Sequence, residues 1–348
     1  MTLTAQLGVD LPIIQAPMAG SQTSALAIAV SNAGGLGSLP CALLTHEGIR
    51  DEIAKLQAGT TRPFNVNFFC HRSPAFTTER GAAWRSALAP YYAEWGIVES
   101  PGPPGASRAP FDAGAAELLA AVRPRVVSFH FGLPPADLMA RVRAVGALIF
   151  STATTLEEAR WLEAQGVDAV IAQGLEAGGH RGHFLSEDLT RQMGTFALVP
   201  QVARAVRVPV IAAGGIADAE SVAAAIRLGA EAVQVGTAYL LCPEATTSAV
   251  HRAALKGEGA RHTALTNLMT GRPARGVVNR LMRDIGPINP GAPEFPLAAA
   301  AIAPLRAAAE RAGSGDFSPL WAGQNASGCR EVPAAELTRA LAADVPSR

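Results

Sequence analysis

The sequence predicts an α/β protein built on a (β/α)₈ TIM barrel, with a smaller, mainly helical second domain. Three observations carry that prediction. Short β-branched apolar runs alternate with longer amphipathic segments from Pro12 to Val235. The runs, such as Val126-Val127-Ser128-Phe129, Val210-Ile211-Ala212-Ala213 and Ala232-Val233-Gln234-Val235, are apolar almost throughout instead of alternating. Strands covered on both faces of a parallel sheet read that way. Finally, there are eight of them, and eight βα units with right-handed crossovers suit a closed barrel. A doubly wound open sheet has the same element order and differs in closure.

The elements follow in order. Pro12–Ala16 reads as the first strand, and Ser24–Asn32 as a helix with Ser24 as its cap, stopped at Gly34-Gly35. Leu36–Leu39 is a second strand, Thr45–Ala58 a helix capped by Thr45, and Phe64–Phe69 a third strand. Residues 72–112 form a long excursion with Pro101, Pro103 and Pro104, partly helical near Ala82–Trp95. The repeat resumes with helix Ala115–Val122, strand Val126–Phe129, helix Pro135–Ala144, strand Ala147–Ser151, helix Thr155–Gln165 and strand Ala169–Gln173. After a loop come helix Val199–Ala205, strand Val208–Ala213, helix Asp218–Leu228 and strand Ala232–Val235. From Pro243 to about Asp316 the pattern breaks into an Ala-, Arg- and Pro-rich, mostly helical region, and Pro333–Ala342 supplies the last helix. The expected division is residues 1–242 as the barrel, completed by about 317–348, with 243–316 as a helical cap.

Composition narrows the functional classes. A chain of 348 residues exceeds the roughly 250–300 residues that one hydrophobic core supports, which fits a barrel with an appendage. The 29 basic and 29 acidic residues cancel, which argues against nucleic acid, whose backbone demands a basic surplus. Lys55 and Lys256 are the only lysines, so an anionic ligand would be gripped by backbone amides or Arg. Cys41, Cys70, Cys242 and Cys329 form no CxxC pair, which suits a reducing compartment better than a disulfide scaffold or zinc site. No metal site is expected. The start lacks a basic n-region and an apolar h-region, and no apolar run approaches the ~20 residues that span a bilayer. A cytoplasmic, non-membrane protein is expected.

Barrel active sites gather at the carboxyl ends of the strands, so the residues after each run are the candidates. Ala213-Gly214-Gly215-Ile216-Ala217-Asp218 and Gln234-Val235-Gly236-Thr237 close the last two units. Glycines let backbone approach an oxyanion, and the amides of a following helix would face it, although glycines also simply end strands. After the sixth strand comes Gln173-Gly174-Leu175-Glu176-Ala177-Gly178-Gly179-His180-Arg181-Gly182-His183. This loop suits a ligand wrapped by backbone and a histidine doing proton chemistry near neutrality. His180 is the leading candidate and His183 a second. His130 and His71 would share its rim; each could equally be a hydrogen-bonded structural histidine. Asn67 is polar within an apolar strand and needs a partner, either a ligand's ring edge or a neighbouring strand. Gln15-Ala16-Pro17-Met18-Ala19-Gly20 offers amides and a soft thioether to a flat heteroaromatic ring, though Met18 could as well be core filler.

These motifs, QAPMAG (15–20), FNVNFF (64–69), SFHFG (128–132), AQGLEAGGHRG (172–182), VIAAGGIAD (210–218), QVGT (234–237) and TNLMTGRPARG (266–276), resemble the bacterial class I nitronate monooxygenases, formerly 2-nitropropane dioxygenases. The resemblance spans about residues 10–340. It implies non-covalent FMN and oxidative denitrification of alkyl nitronates, notably propionate 3-nitronate, with O₂, giving a carbonyl compound and nitrite. It also implies His180 and His130 as catalytic histidines, and FMN contacts at Ala16, Pro17, Met18, Asn67, Gln173, Gly178, Gly214, Gly215, Gln234, Val235, Gly236 and Thr237. The expected partners are a small nitronate and O₂, and a homodimer is compatible with the sequence without being fixed by it. Two other readings share the glycine loops: an NAD(P)H-dependent FMN reductase and a flavin-free sugar-phosphate binder. Related NADH-dependent barrels often carry Lys near the end of strand five, where this chain has Phe150-Ser151-Thr152.

Overall fold

The computed structural model describes residues 1–75, 77–98 and 108–345. Pro101, Pro103 and Pro104 lie outside the described residues. Eight parallel strands form the body: β1 (Ile13–Gln15), β2 (Gly37–Pro40), β3 (Phe64–Phe69), β4 (Val126–His130), β5 (Leu148–Ala153), β6 (Ala169–Gln173), β7 (Val210–Ala213) and β8 (Ala232–Val235). β2 to β8 pair in chain order, and β8 returns to β1 with Ile13 opposite Val233.

Closure comes at one bridge between Ile14 and Leu36. There Leu36 N–H donates to Ile13 O and Gln15 N–H to Leu36 O, each at 2.9 Å. This makes a barrel and excludes the open sheet. Beyond the bridge, side chains continue the seam. Ser38 N–H donates to Gln15 Oε1 at 3.0 Å, and Gln22 Nε2 donates to Ser38 O at 2.7 Å. Both glutamines are buried and bond to each other at 2.6 Å.

Strand periodicity divides the apolar residues. Ile13, Val170, Ala212 and Val233 pack outward under the helices. Ile14, Ile171, Ile211 and Ala232 fill the interior. Leu3 and Leu7 join that interior cluster from the helix Leu3–Leu7, and Leu3 N–H donates to Glu231 at 2.9 Å, just ahead of β8. The helix therefore plugs the amino-terminal end of the barrel. A five-residue helix is too short to show a period, which is why the sequence does not announce it.

Helix ends follow their caps. Thr45, Asp112, Thr155 and Asp218 each accept a backbone N–H from the first turn. Thr23, not Ser24, caps the helix Ser24–Asn32, because Thr23 holds the extended backbone and Ser24 is already helical. The helix Thr195–Ala205 starts four residues before the expected Val199. Its first amide, Thr195 N–H, is received by the Glu176 carboxylate at 2.8 and 3.0 Å, a tertiary cap no local pattern contains. The final helix, Ala334–Leu341, packs on Ser24–Asn32 and Ala219–Arg227 and completes the outer ring.

A second core lies outside the barrel. Leu268, Met269, Leu281, Met282, Ile302, Leu305 and Phe317 pack there with Trp84, Leu88, Tyr91 and Tyr92 of the helix Thr78–Glu94. The excursion after β3 thus shares a core with residues 268–317. That region also holds strands the sequence reading lacked. Thr263–Thr266 and Ala274–Val277 form an antiparallel pair, and the two-residue strand Gly179–His180 adds to its edge with His180 opposite Ala274.

Candidate active site

One cavity opens at the carboxyl ends of the strands, with about 1330 Å³ of empty space including its mouth. It is lined by Ala16, Pro17, Met18, Asn67, His130, Gln173, Gly178, His180, Gly214, Gly215, Gln234, Gly236 and Thr237. All but one of the residues that the family resemblance implies therefore meet in one place. Val235 is the exception: its side chain is buried in the outer core, because strand alternation turns Gln234 inward and Val235 outward. Its carbonyl accepts from Ala16 N–H at 2.8 Å, so it acts on the wall through backbone only.

The two glycine turns are built for close approach. Gly214 and Gly215 hold φ of 115° and 75°, a region L side chains rarely adopt. Among the described residues, no protein acceptor meets the N–H groups of Gly215, Gly236 or Thr237. Unmet amides on a cavity wall seek an anion or water. One expectation is corrected. The helix after β7 does not present its amino terminus to the cavity, because Asp218 caps it, receiving Ser221 N–H at 2.8 Å. A carboxylate already occupies that end. The turn after β8 differs: Gly236 precedes the 3₁₀ turn Thr237–Leu241 and brings no capping side chain.

A segment absent from the sequence reading laces the turns together. Asn325 Nδ2 donates to Gly215 O at 3.1 Å, and Gly323 N–H donates to Thr237 Oγ1 at 2.9 Å. Gly323 and Gly178 are packed so closely that a Cβ on Gly178 would stand 2.6 Å from Ala322 C and Gly323 N. Trp321, Gly323 and Asn325 line the cavity, as do Phe69, Arg108 and Thr152. The run Trp321-Ala322-Gly323-Gln324-Asn325 carries the glycine and amide that could have marked it.

The other polar groups of the lining fall into two kinds. Asn67 Nδ2 donates to Ser128 O and Oγ at 3.2 and 3.0 Å, which leaves its Oδ1 without a protein partner. The Gln234 side-chain amide meets no protein partner either among the described residues. Gln173 is fully engaged: its Nε2 donates to His180 O at 3.0 Å and its Oε1 accepts from Gly182 N–H at 2.8 Å. Gln173 therefore fixes the backbone on both sides of His180.

His180 stands in a ring of aromatics. Phe295 lies 5.1 Å away between centroids, Trp321 5.6 Å, Phe131 6.0 Å and Phe69 6.2 Å. Its Nε2 is 2.9 Å from Thr270 Oγ1. Burial, then the charge of Arg108, then His130 and Arg272, hold its pKa well below the usual imidazole range. His130 is pushed down to about 3, mainly by burial, although its contact with His180 O favours the charged form. Its Nδ1 is 3.0 Å from Thr152 Oγ1 and its Nε2 3.2 Å from His180 O. Both ring nitrogens of His130 are thus taken, whereas His180 keeps Nδ1 without a protein partner. Neutral at pH 7, His180 can accept a proton.

The neighbours of His180 are structural. The guanidinium of Arg181 is fully buried and donates to Gly174 O, Gln173 O and Gln192 Oε1 at 2.6, 2.8 and 2.7 Å. His183 is buried and pairs with Glu187 at 3.0 Å, away from the cavity lining. His71 does not line the cavity; it packs behind it, 4.7 Å from Phe295 and 6.1 Å from Phe131. No group of three or more metal-ligating side chains occurs among the described residues, and no helix among them is long and apolar enough to cross a membrane.

Comparison with known proteins follows the same lines. The model of the nitronate monooxygenase family matches residues 1–344. A Pseudomonas aeruginosa protein named nitronate monooxygenase is 47% identical over 344 residues, covering 97% of both chains. One from Paraburkholderia phytofirmans, of the same name, is 44% identical over 341 residues, covering 96% of this chain and 92% of its own. Among solved structures, the nitroalkane oxidase from Streptomyces ansochromogenes is similar with a TM-score of 0.89 at 41% identity, covering 98% of this chain and 97% of that one. FabK from Thermotoga maritima is similar with a TM-score of 0.73 at 29% identity, covering 99% and 96%.

Proposed function

The chain belongs to the nitronate monooxygenase family, and from that membership we propose that it holds FMN in the cavity at the strand ends and oxidises alkyl nitronates such as propionate 3-nitronate, with His180 as its proton acceptor. The observation that carries this is the pair of glycine turns with unmet N–H groups on the wall of the cavity that His180 also lines. A dianionic phosphate suits those amides, because hydrogen bonds to an ionised acceptor are the strong ones. FMN when bound supplies the electron-accepting ring; everything else falls to the chain.

Gly215, Gly236 and Thr237 would hold the phosphate through backbone. Gln234 and the Oδ1 of Asn67 would offer polar contacts to the ring, and Met18, with Ala16 and Pro17, a soft apolar surface. His180 donates its Nε2–H to Thr270 Oγ1 and turns the Nδ1 lone pair to the substrate. A neutral nitroalkane must lose the proton on the carbon bearing nitrogen, and His180 takes it. A nitronate has already lost that proton and needs only to be bound and oriented. The aromatics around His180 exclude water, which keeps the imidazole neutral at working pH. The products are a carbonyl compound and nitrite, with O₂ as the second substrate.

The test is direct. The purified protein should show flavin absorbance or take up FMN, and should release nitrite from propionate 3-nitronate in air. A protein that neither binds FMN nor forms nitrite ends this reading. One competitor shares the glycine loops, a reductase fed by a pyridine nucleotide. Rapid anaerobic bleaching of the flavin by NADH would select it; slow or absent bleaching selects the nitronate reaction.

A further inference from the structure

The cavity carries one side chain that the assignments above leave without a task. Among the described residues, Arg108 is the only Lys or Arg that lines it, and no Asp or Glu does. Among the described residues the Arg108 guanidinium has no ion pair and no hydrogen bond. It is half-buried, and the charge that acts on it is another cation, Arg306. A guanidinium offers five donors in a planar fork, and Arg108 brings them to the cavity wall without a protein acceptor among the described residues. Arg181 shows how this chain satisfies such a group when the role is structural, with three carbonyl-type acceptors within 2.8 Å.

The backbone at Arg108 is strained as well. Its φ is 87°, where glycine is at ease and a long side chain is not. Strain of this kind persists where the surroundings insist on a particular side chain, and it gathers at ligand sites.

Position separates Arg108 from the phosphate. Three residues on, Phe111 N–H donates to Phe69 O at 2.8 Å, so Arg108 overhangs the end of β3. β3 stands four strands from β7 around an eight-stranded ring, across the mouth from the glycine turns. Arg108 lies instead on the side of His180 and His71, and its charge acts on both. With His180 neutral, Arg108 is the cation of the described lining at the substrate end, and Arg272 stands behind it over the Phe131 ring.

We propose that Arg108 is the specificity-determining residue of this site: its guanidinium fork receives a carboxylate at the far end of the substrate while the nitro-bearing carbon lies at His180. The assignment rests on the nitronate reading above and adds the residue that receives the carboxylate of propionate 3-nitronate. A planar carboxylate matches the fork in bidentate fashion.

The experiment uses the whole protein and two variants, R108Q and R108G. The second suits the left-handed backbone, so loss of the side chain there is not confounded by misfolding; R108K, a charge without the fork, serves as partial rescue. Nitrite release is followed for propionate 3-nitronate and for propyl 1-nitronate, which has no carboxylate. In both variants KM for the carboxylated substrate should rise at least tenfold with kcat within about threefold, while the alkyl nitronate is unaffected. Equal losses on both substrates, or no loss on either, overturn the assignment. Binding by calorimetry gives an arm independent of turnover. Wild type should bind 3-nitropropionate at least tenfold more tightly than 1-nitropropane, and R108Q should abolish the difference. A wild type that shows this preference but forms no nitrite would sink the nitronate reading and leave Arg108 an anion receptor; a wild type without the preference would sink the Arg108 assignment.

Discussion

At the scale of single residues, the proposed proton transfer falls to His180 because its surroundings leave one ring nitrogen without a protein partner. Replacing it with Asn keeps a hydrogen bond to Thr270 within reach but removes the base. His180→Asn should lower kcat/KM for neutral nitroalkanes by roughly 10²–10⁴-fold, the usual worth of a positioned base, and for nitronates by less than tenfold. Initial nitrite rates on the two ionisation forms of one substrate decide it; equal small losses would remove His180 from proton transfer. The residue was legible because a histidine beside paired glycines has little use in a core. Arg108 was not, because it follows a Pro-rich excursion with no periodic frame, and its importance shows only when the charges around the cavity are seen together. Gln173 was legible as a site residue, yet the backbone of the 180–182 turn takes both ends of its amide.

At the scale of elements, the site depends on joints between segments far apart in sequence. The turn containing Gly178 packs on Ala322 and Gly323, and the segment 323–325 in turn bonds to Thr237 and Gly215. Gly178→Ala would insert a Cβ 2.6 Å from backbone atoms that cannot give way as a side chain would. The 323–325 segment should shift, and affinity for FMN should fall at least tenfold in a fluorescence titration. Unchanged affinity would mean that this joint does not position the anion turns. The strands and most helices were readable because apolar runs and caps are local facts. The three-stranded sheet was not: Gly179–His180 becomes a strand only by pairing with Ala274 and Arg275, nearly a hundred residues away. The early start of the helix at Thr195 likewise needs Glu176 from another loop.

At the scale of the whole molecule, desolvation keeps four histidines neutral. His71 and His251 are pushed down to about 4, His130 to about 3, and His180 well below its ordinary value, in each case chiefly by burial. An unfolded chain takes up protons on all four near pH 6.5, whereas the folded chain does not. The unfolded state then binds more protons, so stability must fall as pH falls. Stability should be level above about pH 7 and decline from pH 6.5 toward 4, read as the urea midpoint across that range. A midpoint that rises with acidity would contradict the neutral assignment. The barrel as a whole was legible because eight apolar runs leave few alternatives; how it closes was not. Between β1 and β2 one bridge and two glutamine side chains replace a strand ladder. Side-chain amides can be exchanged by single substitutions where ladder bonds cannot, so this wall behaves like a laced panel in an otherwise welded drum. Deuterium should enter first at the Gln15 and Ser38 amides, and shortening Gln22 should let the mouth gape beside Met18, on the flank where a flat ring would slide in.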